Sequence, residues 1–444
     1  MSVVLNTKMG AIRGNERTDC FEFLGVRYAR AERFEYAKAE DTFDGEYDAT
    51  QFGPVCPQSR TYFEHLENPE RLFYYKEYRQ GINFYYSEDC LNMNIYTPKK
   101  AEKCPVLVFF HGGGFDSGAN WEGAFDGGAY AGHGVIAIFP TYRVGVLGYM
   151  THEEIFKKYG HEGNFGLDDM YVCLNWIKNH IEDFGGDPDN ITVMGQSAGA
   201  ISIQDMCLNP MFDPLFKRAI MLSGAGLFPK FGRPRMAEST REYWLQYMDL
   251  VGAKTLDDLK KTDTLTLMKG IEDIREARND GIYNTMPVVD GYLITKPVGE
   301  LINNPLKKDY MIGYTNNDMG ASILAHISRD FAWKNNAYLY YFDIDGPGDD
   351  HNGAFHSCDL RYVFGTLEKS FRPYDIHDYE VSGQMIGYIS EFARKGDPNG
   401  DGRPTWERGK GKTLCIGKTV KMGHDNKLKL FINMITKGNP EAEA

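Results

Sequence analysis

A chain of 444 residues with 42% hydrophobic residues, 48 glycines and a net charge of −13 is globular and rich in turns. Its acidity argues against a nucleic-acid surface; no apolar run approaches the roughly 18 residues of a membrane span; and eight cysteines without C-x-x-C or Cys/His clustering argue against a disulfide scaffold and a zinc site. The first residues, MSVVLNTKMGAIRG, carry no charged-then-apolar leader, so the expectation is a cytoplasmic protein with reduced thiols.

The first hundred residues hold alternating segments and turns. Ser2–Val4, Phe23–Tyr28 and Asn92–Tyr96 predict an antiparallel edge. Residues 57–89 stand apart as an aromatic-rich loop: Tyr62, Phe63, Phe73, Tyr74, Tyr75, Tyr78, Phe84, Tyr85 and Tyr86 sit among polar groups. Aromatics at that density either line a pocket or pack as a satellite core. Tyr74 and Tyr75 are therefore candidate substrate contacts. Short apolar runs follow at Val106–Phe110, Val135–Phe139, Ile191–Met194, Ala219–Leu222, Tyr310–Gly313, Tyr338–Ile344 and Thr413–Ile416. They are continuous rather than alternating, as expected of parallel strands covered on both faces. Helical patterns lie between them; Leu174, Ile177 and Ile181 form one stripe, stopped by Gly185-Gly186. Strands alternating with helices predict an α/β protein, a mostly parallel twisted sheet flanked by helices, as one domain over residues 1–444. Residues 225–285 read as a helical insertion or cap.

Two turns carry chemistry. Ile191–Met194 runs into Gly195-Gln196-Ser197-Ala198-Gly199 and a helical segment. G-x-S-x-G at a strand-to-helix turn is the nucleophile-elbow pattern, in which the glycines permit a turn tight enough to expose the serine. Val106–Phe110 runs into His111-Gly112-Gly113-Gly114-Phe115. A glycine run at the end of a buried strand presents backbone N–H groups without side-chain cover. Gly113 and Gly114, with Ala198 after the serine, are the candidate oxyanion donors. A phosphate loop is disfavoured, because neither G-K-[ST] nor a G-x-G-x-x-G frame is present. His111 reads as a packed residue rather than a base. Phe115 and Gln196, beside these turns, join Tyr74 and Tyr75 as candidate substrate contacts.

The chain as a whole resembles the type-B carboxylesterase family, which includes bacterial para-nitrobenzyl esterases and animal cholinesterases. The likeness is carried by FLGVRYARAERF (23–34), SEDCLNMNIYTP (87–98), FFHGGGFDSG (109–118) and GNFGLDDMYVCLNWIKNHIEDFGGDPDNITVMGQSAGA (163–200). FKRAIMLSG (216–224), MPVVDG (286–291), GAFHSCDLRYVFG (353–365) and FARKGDPN (392–399) follow in the family's order. The resemblance implies an α/β-hydrolase fold and acyl transfer through an acyl-enzyme on Ser197. It implies His356, in G-A-F-H-S-C-D, as the base. His351 is nearby but off the pattern. No metal or cofactor is implied; the partner is a small-molecule ester, and the oligomeric state is left open.

Two departures qualify the resemblance. The family's acid falls in a segment that reads Gly313-Tyr314-Thr315-Asn316-Asn317-Asp318-Met319-Gly320 here. The aligned residue is Met319, which cannot orient an imidazole, so Asp318, one position earlier, is the expected acid. The competing reading of Asp318 is a helix cap. Gln196 stands where many relatives carry glutamate, which weakens a case for a cationic substrate. Cys56 and Cys90 lie in segments like those that hold a disulfide in secreted relatives. The resulting expectation is a serine carboxylesterase. Two rivals are a non-catalytic interaction protein that retains the fold, favoured by Met319, and a hydrolase of amides, thioesters or lactones.

Overall fold

The computed structural model describes residues 1–227, 234–279, 284–400, 402–427 and 430–431. Its centre is one large sheet. The strands are β1 (Ser2–Thr7), β2 (Gly10–Glu16), β3 (Cys20–Arg27), β4 (Asn92–Pro98), β5 (Cys104–Phe110), β6 (Ile136–Pro140) and β7 (Gly186–Gln196). They continue as β8 (Arg218–Leu222), β9 (Asp309–Thr315), β10 (Tyr338–Phe342), β11 (Thr413–Ile416) and β12 (Val420–Gly423). Their spatial order is β1-β2-β3-β4-β6-β5-β7-β8-β9-β10-β11-β12. From β6 to β11 every neighbour is parallel. The amino-terminal strands of this path pair antiparallel, with a two-residue strand, Tyr47–Asp48, parallel to β2 off the path, and β12 pairs antiparallel with β11 at the far edge. That second antiparallel edge had no counterpart in the sequence reading.

The apolar runs are continuous because both sheet faces are covered. In β5, Val106, Val108 and Phe110 enter one core cluster, and Leu107 and Phe109 enter another. In β8, Ala219 and Met221 take the first face, Ile220 and Leu222 the second. Successive side chains of a strand point to opposite faces, so each run feeds two cores at once.

The helices that matter for the site are α1 (Pro69–Tyr78), α2 (Phe165–His180), α3 (Ala198–Met206), α4 (Arg241–Leu250), α5 (Thr264–Arg278), α6 (Ala321–Lys334) and α7 (Ile376–Lys395). The segment 57–89 is thus not only a loop. Asn68 caps α1 by accepting from the N–H groups of Glu70 and Arg71, and Pro69 occupies the first turn, where a missing N–H costs nothing. The described part of 225–285 carries α4 and α5. Among the described residues no helix is long and apolar enough to cross a membrane.

Candidate active site

In an open parallel sheet the strand carboxyl ends form one edge, where side chains from several loops converge. Here β5 leads to the glycine loop, β7 to Ser197, β8 to Ser223, β9 to Asp318, and the loop after β10 to His356.

Ser197 sits at φ 55° and ψ −123°, a conformation that L residues rarely adopt. Its N–H donates to the Leu222 carbonyl at 2.8 Å, and its carbonyl accepts from Ile201 N–H at 2.9 Å. The turn is tight enough to need its glycines. A Cβ at Gly195 would lie 2.5 Å from the Gly199 carbonyl carbon, and one at Gly199 would lie 2.2 Å from the Phe110 oxygen. Ala198 opens α3, so its N–H has no intrahelical acceptor.

The glycine loop is folded on itself. Gly113 and Gly114 take φ of 113° and 64°. The Gly113 carbonyl accepts from the N–H groups of Asp116 and Ser117 at 3.2 and 3.1 Å. A Cβ at Gly112 would come 3.1 Å from Ser197 Cβ, so the loop lies directly against the serine. His111 stacks on Tyr142 at 4.4 Å between ring centroids, and burial pushes its pKa down to about 4.

Asp318 is fully buried, and its Oδ1 is 2.5 Å from His356 Nδ1. Its Oδ2 accepts from Ser223 Oγ at 2.5 Å and from Thr315 N–H at 3.2 Å, and its Oδ1 also accepts from Met319 N–H at 2.8 Å. Burial works to raise this carboxyl; the His356 imidazole and the donors from His356, Ser223 and Thr315 outweigh it and hold the pKa below the usual carboxylate range. Asp318 does not cap the following helix, whose N-cap is Gly320. A backbone bridge between Asn317 and Phe355, with Asn317 N–H donating to Ala354 O at 2.8 Å, brings the two loops together. Met319 is 54% exposed and turns its side chain to the cavity.

On the other nitrogen, Gln196 Nε2 lies 3.1 Å from His356 Nε2. With the Gln196 amide as donor, the imidazole carries its proton on Nδ1, toward Asp318. The histidine loop is held from outside by α1. Tyr78 OH donates to Ser357 O at 2.9 Å, and Tyr74 OH reaches His356 O at 3.5 Å.

Ser197, His356, Gly112, Gly113, Gly114, Gln196 and Tyr74 share the wall of one cavity of about 350 Å³. Ala198 is buried behind the serine. Tyr75 and Phe115 are corrections to the sequence reading. The helical period of α1 puts Tyr74 and Tyr78 on one face and turns Tyr75 under the Arg79 guanidinium, 5.6 Å from the ring centroid. Phe115 is fully buried in a small cluster with Tyr149, Ala198, Ile201 and Met286. The sequence reading also missed Ser223 and a charged half of the cavity built from Arg60, Glu70, Arg71, Asp116, Glu122, Glu272 and Arg275. Arg60 and Arg71 lay in view within the aromatic segment, but nothing local marks which charges face inward.

The profile of the carboxylesterase family matches residues 1–332 and 319–430. Para-nitrobenzyl esterase of Bacillus subtilis (strain 168) is 26% identical over 489 residues, covering 95% of this chain and 96% of that protein. Gut esterase 1 of Caenorhabditis elegans is 30% identical over 329 residues, covering 71% of this chain and 54% of its own length. A solved PNB esterase structure superposes with a TM-score of 0.84 at 23% identity, covering 97% of this chain and 99% of that one.

Proposed function

The chain belongs to the carboxylesterase family and is a serine carboxylesterase that hydrolyses carboxylic esters; from that premise we propose that Ser197, His356 and Asp318 are its catalytic triad. Ser197 Oγ attacks the ester carbonyl while His356 Nε2 takes its proton. The N–H groups of Gly113, Gly114 and Ala198 hold the oxyanion. The alcohol leaves with the proton from His356, and water then repeats the cycle on the acyl-enzyme. Asp318 fixes the imidazole tautomer and stabilises its cation. Gln196 occupies the Nε2 lone pair at rest and yields it to Ser197 when substrate arrives.

The observation that carries this reading is the 2.5 Å contact between Asp318 Oδ1 and His356 Nδ1 on a cavity that Ser197 also lines. The test is hydrolysis of p-nitrophenyl acetate and butyrate by the wild type and by Ser197→Ala, with fluorophosphonate labelling of both. Turnover and labelling by the wild type, and neither by the variant, are expected. Equal turnover by the two proteins would remove Ser197 from the mechanism.

The cytoplasmic setting is also part of this proposal. Cys56 and Cys90 lie side by side, and in this proposal they and the other six cysteines are thiols. Such a state is kept in a reducing compartment.

A further inference from the structure

We infer that the substrate is an ester bearing its own carboxylate, and that Arg60 recognises that charge; this rests on the catalytic reading above. Three guanidiniums line the cavity beside Ser197: Arg60, Arg71 and Arg275. Two are neutralised. Arg275 pairs with Asp116 at 3.1 Å, and Arg71 with Glu272 at 3.7 Å. Arg60 has no carboxylate within ion-pair distance among the described residues. Its one side-chain bond is from Nη1 to Ser117 Oγ at 2.8 Å, which ties it to the glycine loop.

The surroundings of Arg60 serve its charge poorly. Burial, and then the like charge of Arg79, push its guanidinium below its ordinary value; Glu122, Asp116 and Glu64 act on it only across a gap. Arg79 is itself buried and pairs with Glu64 at 3.0 Å. Its Nε and Nη2 find no acceptor. Glu122 also lines the cavity, but among the described residues it does not come within ion-pair distance of Arg60, and burial pushes its carboxyl up. A part-buried guanidinium without a contacting anion has donors left to offer, and its planar fork matches a carboxylate. A substrate carboxylate would supply the missing partner, and the ester carbonyl would then lie toward the glycine loop to which Arg60 is tied. The chain's net charge of −13 repels anions at long range, so this recognition is local to the cavity. The reaction is unchanged: water enters, and acid and alcohol leave.

The test compares kcat/KM for monomethyl glutarate and methyl hexanoate, followed by acid release at constant pH, in wild type, Arg60→Gln and Arg60→Lys. The wild type is expected to favour the hemiester about tenfold or more. Arg60→Gln lowers the ratio of the two values by about 10- to 100-fold, and Arg60→Lys recovers part of it. If Arg60 only braces the glycine loop, both values fall together and the ratio stays, which overturns the inference. A wild type that prefers methyl hexanoate overturns it as well. Should the variants fail to fold, the wild type alone decides: glutarate, but not glutaramide, must inhibit hydrolysis of methyl hexanoate competitively. Turnover of neither ester, with no fluorophosphonate label on Ser197, would instead sink the catalytic reading.

Discussion

Asp318 Oδ1 meets His356 Nδ1 at 2.5 Å, although the family resemblance puts Met319 at the acid's position. The offset is made good by the turn after β9. Asp318 faces inward with four donors on its two oxygens, while Met319 turns outward to the cavity. An aspartate one residue early thus reaches the imidazole edge that a longer acid would reach from the next position. The case for a catalytically silent fold rests on Met319, and this contact supports Asp318 as the acid instead.

Asp318→Asn keeps the shape but replaces one acceptor oxygen with a donor. The imidazole then loses its tautomer control. The expected loss in kcat is on the order of 10³- to 10⁴-fold, with KM for p-nitrophenyl butyrate changed far less. Ser223→Ala, which removes one of the supporting bonds, is expected to cost about tenfold. A loss below fivefold in Asp318→Asn would assign the acid's work to another group.

Gln196 stands 3.1 Å from His356 Nε2. Gln196→Glu is nearly isosteric and puts a negative charge beside the nitrogen that receives the serine proton. An opposite charge within about 4–6 Å favours the protonated form. The acidic limb of the kcat/KM profile should therefore move to higher pH by about 1 unit, and the plateau should narrow from its acid side. An unmoved limb would mean that Gln196 does not face the imidazole during turnover.

How much of this was legible beforehand depends on how local each signal is. The strands β5, β7, β8 and β9 announced themselves because each is a run of apolar residues covered on two faces. The elbow and the glycine loop were legible because their conformations admit few residue types: a Cβ at Gly199 would strike the Phe110 oxygen. The helix α1 was missed, although Asn68-Pro69 is a start signal, because its aromatic residues follow no clear stripe. The choice between Asp318 and Met319 turns on the bridge between Asn317 and Phe355, a contact between loops 38 residues apart. The pairing of Arg275 with Asp116, which leaves Arg60 without a contacting carboxylate, joins residues 159 apart, and no local pattern encodes it.

Gly113 tests the oxyanion loop. At φ 113°, an alanine there is strained, and its Cβ would lie 2.1 Å from the Ser117 oxygen. The loop must open, and its N–H groups leave their aim. Gly113→Ala is expected to lower kcat by about 10²- to 10³-fold while far-UV circular dichroism stays as in the wild type. Full activity in this variant would show that the donors lie elsewhere in the cavity.

A last prediction concerns the stability of the scaffold behind the elbow. Asp168, in the first turn of α2, is 5% exposed and accepts from Ala37 N–H at 3.0 Å. Burial, followed by the charge of its neighbour Asp169, raises its pKa to about 7. Asp169 is gripped by Arg143 through Nε and Nη2 at 2.8 and 2.7 Å. An acid whose folded pKa lies above its unfolded value binds more protons in the folded state. Its contribution is therefore most favourable below about pH 4 and is lost as pH rises through about 7. Asp168→Asn keeps an oxygen for Ala37 and removes the charge. Between pH 5 and pH 8 the wild type should lose on the order of 2 kcal/mol more stability than the variant. Urea unfolding at the two pH values reads this difference, and parallel losses in both proteins would show that Asp168 does not titrate in that window.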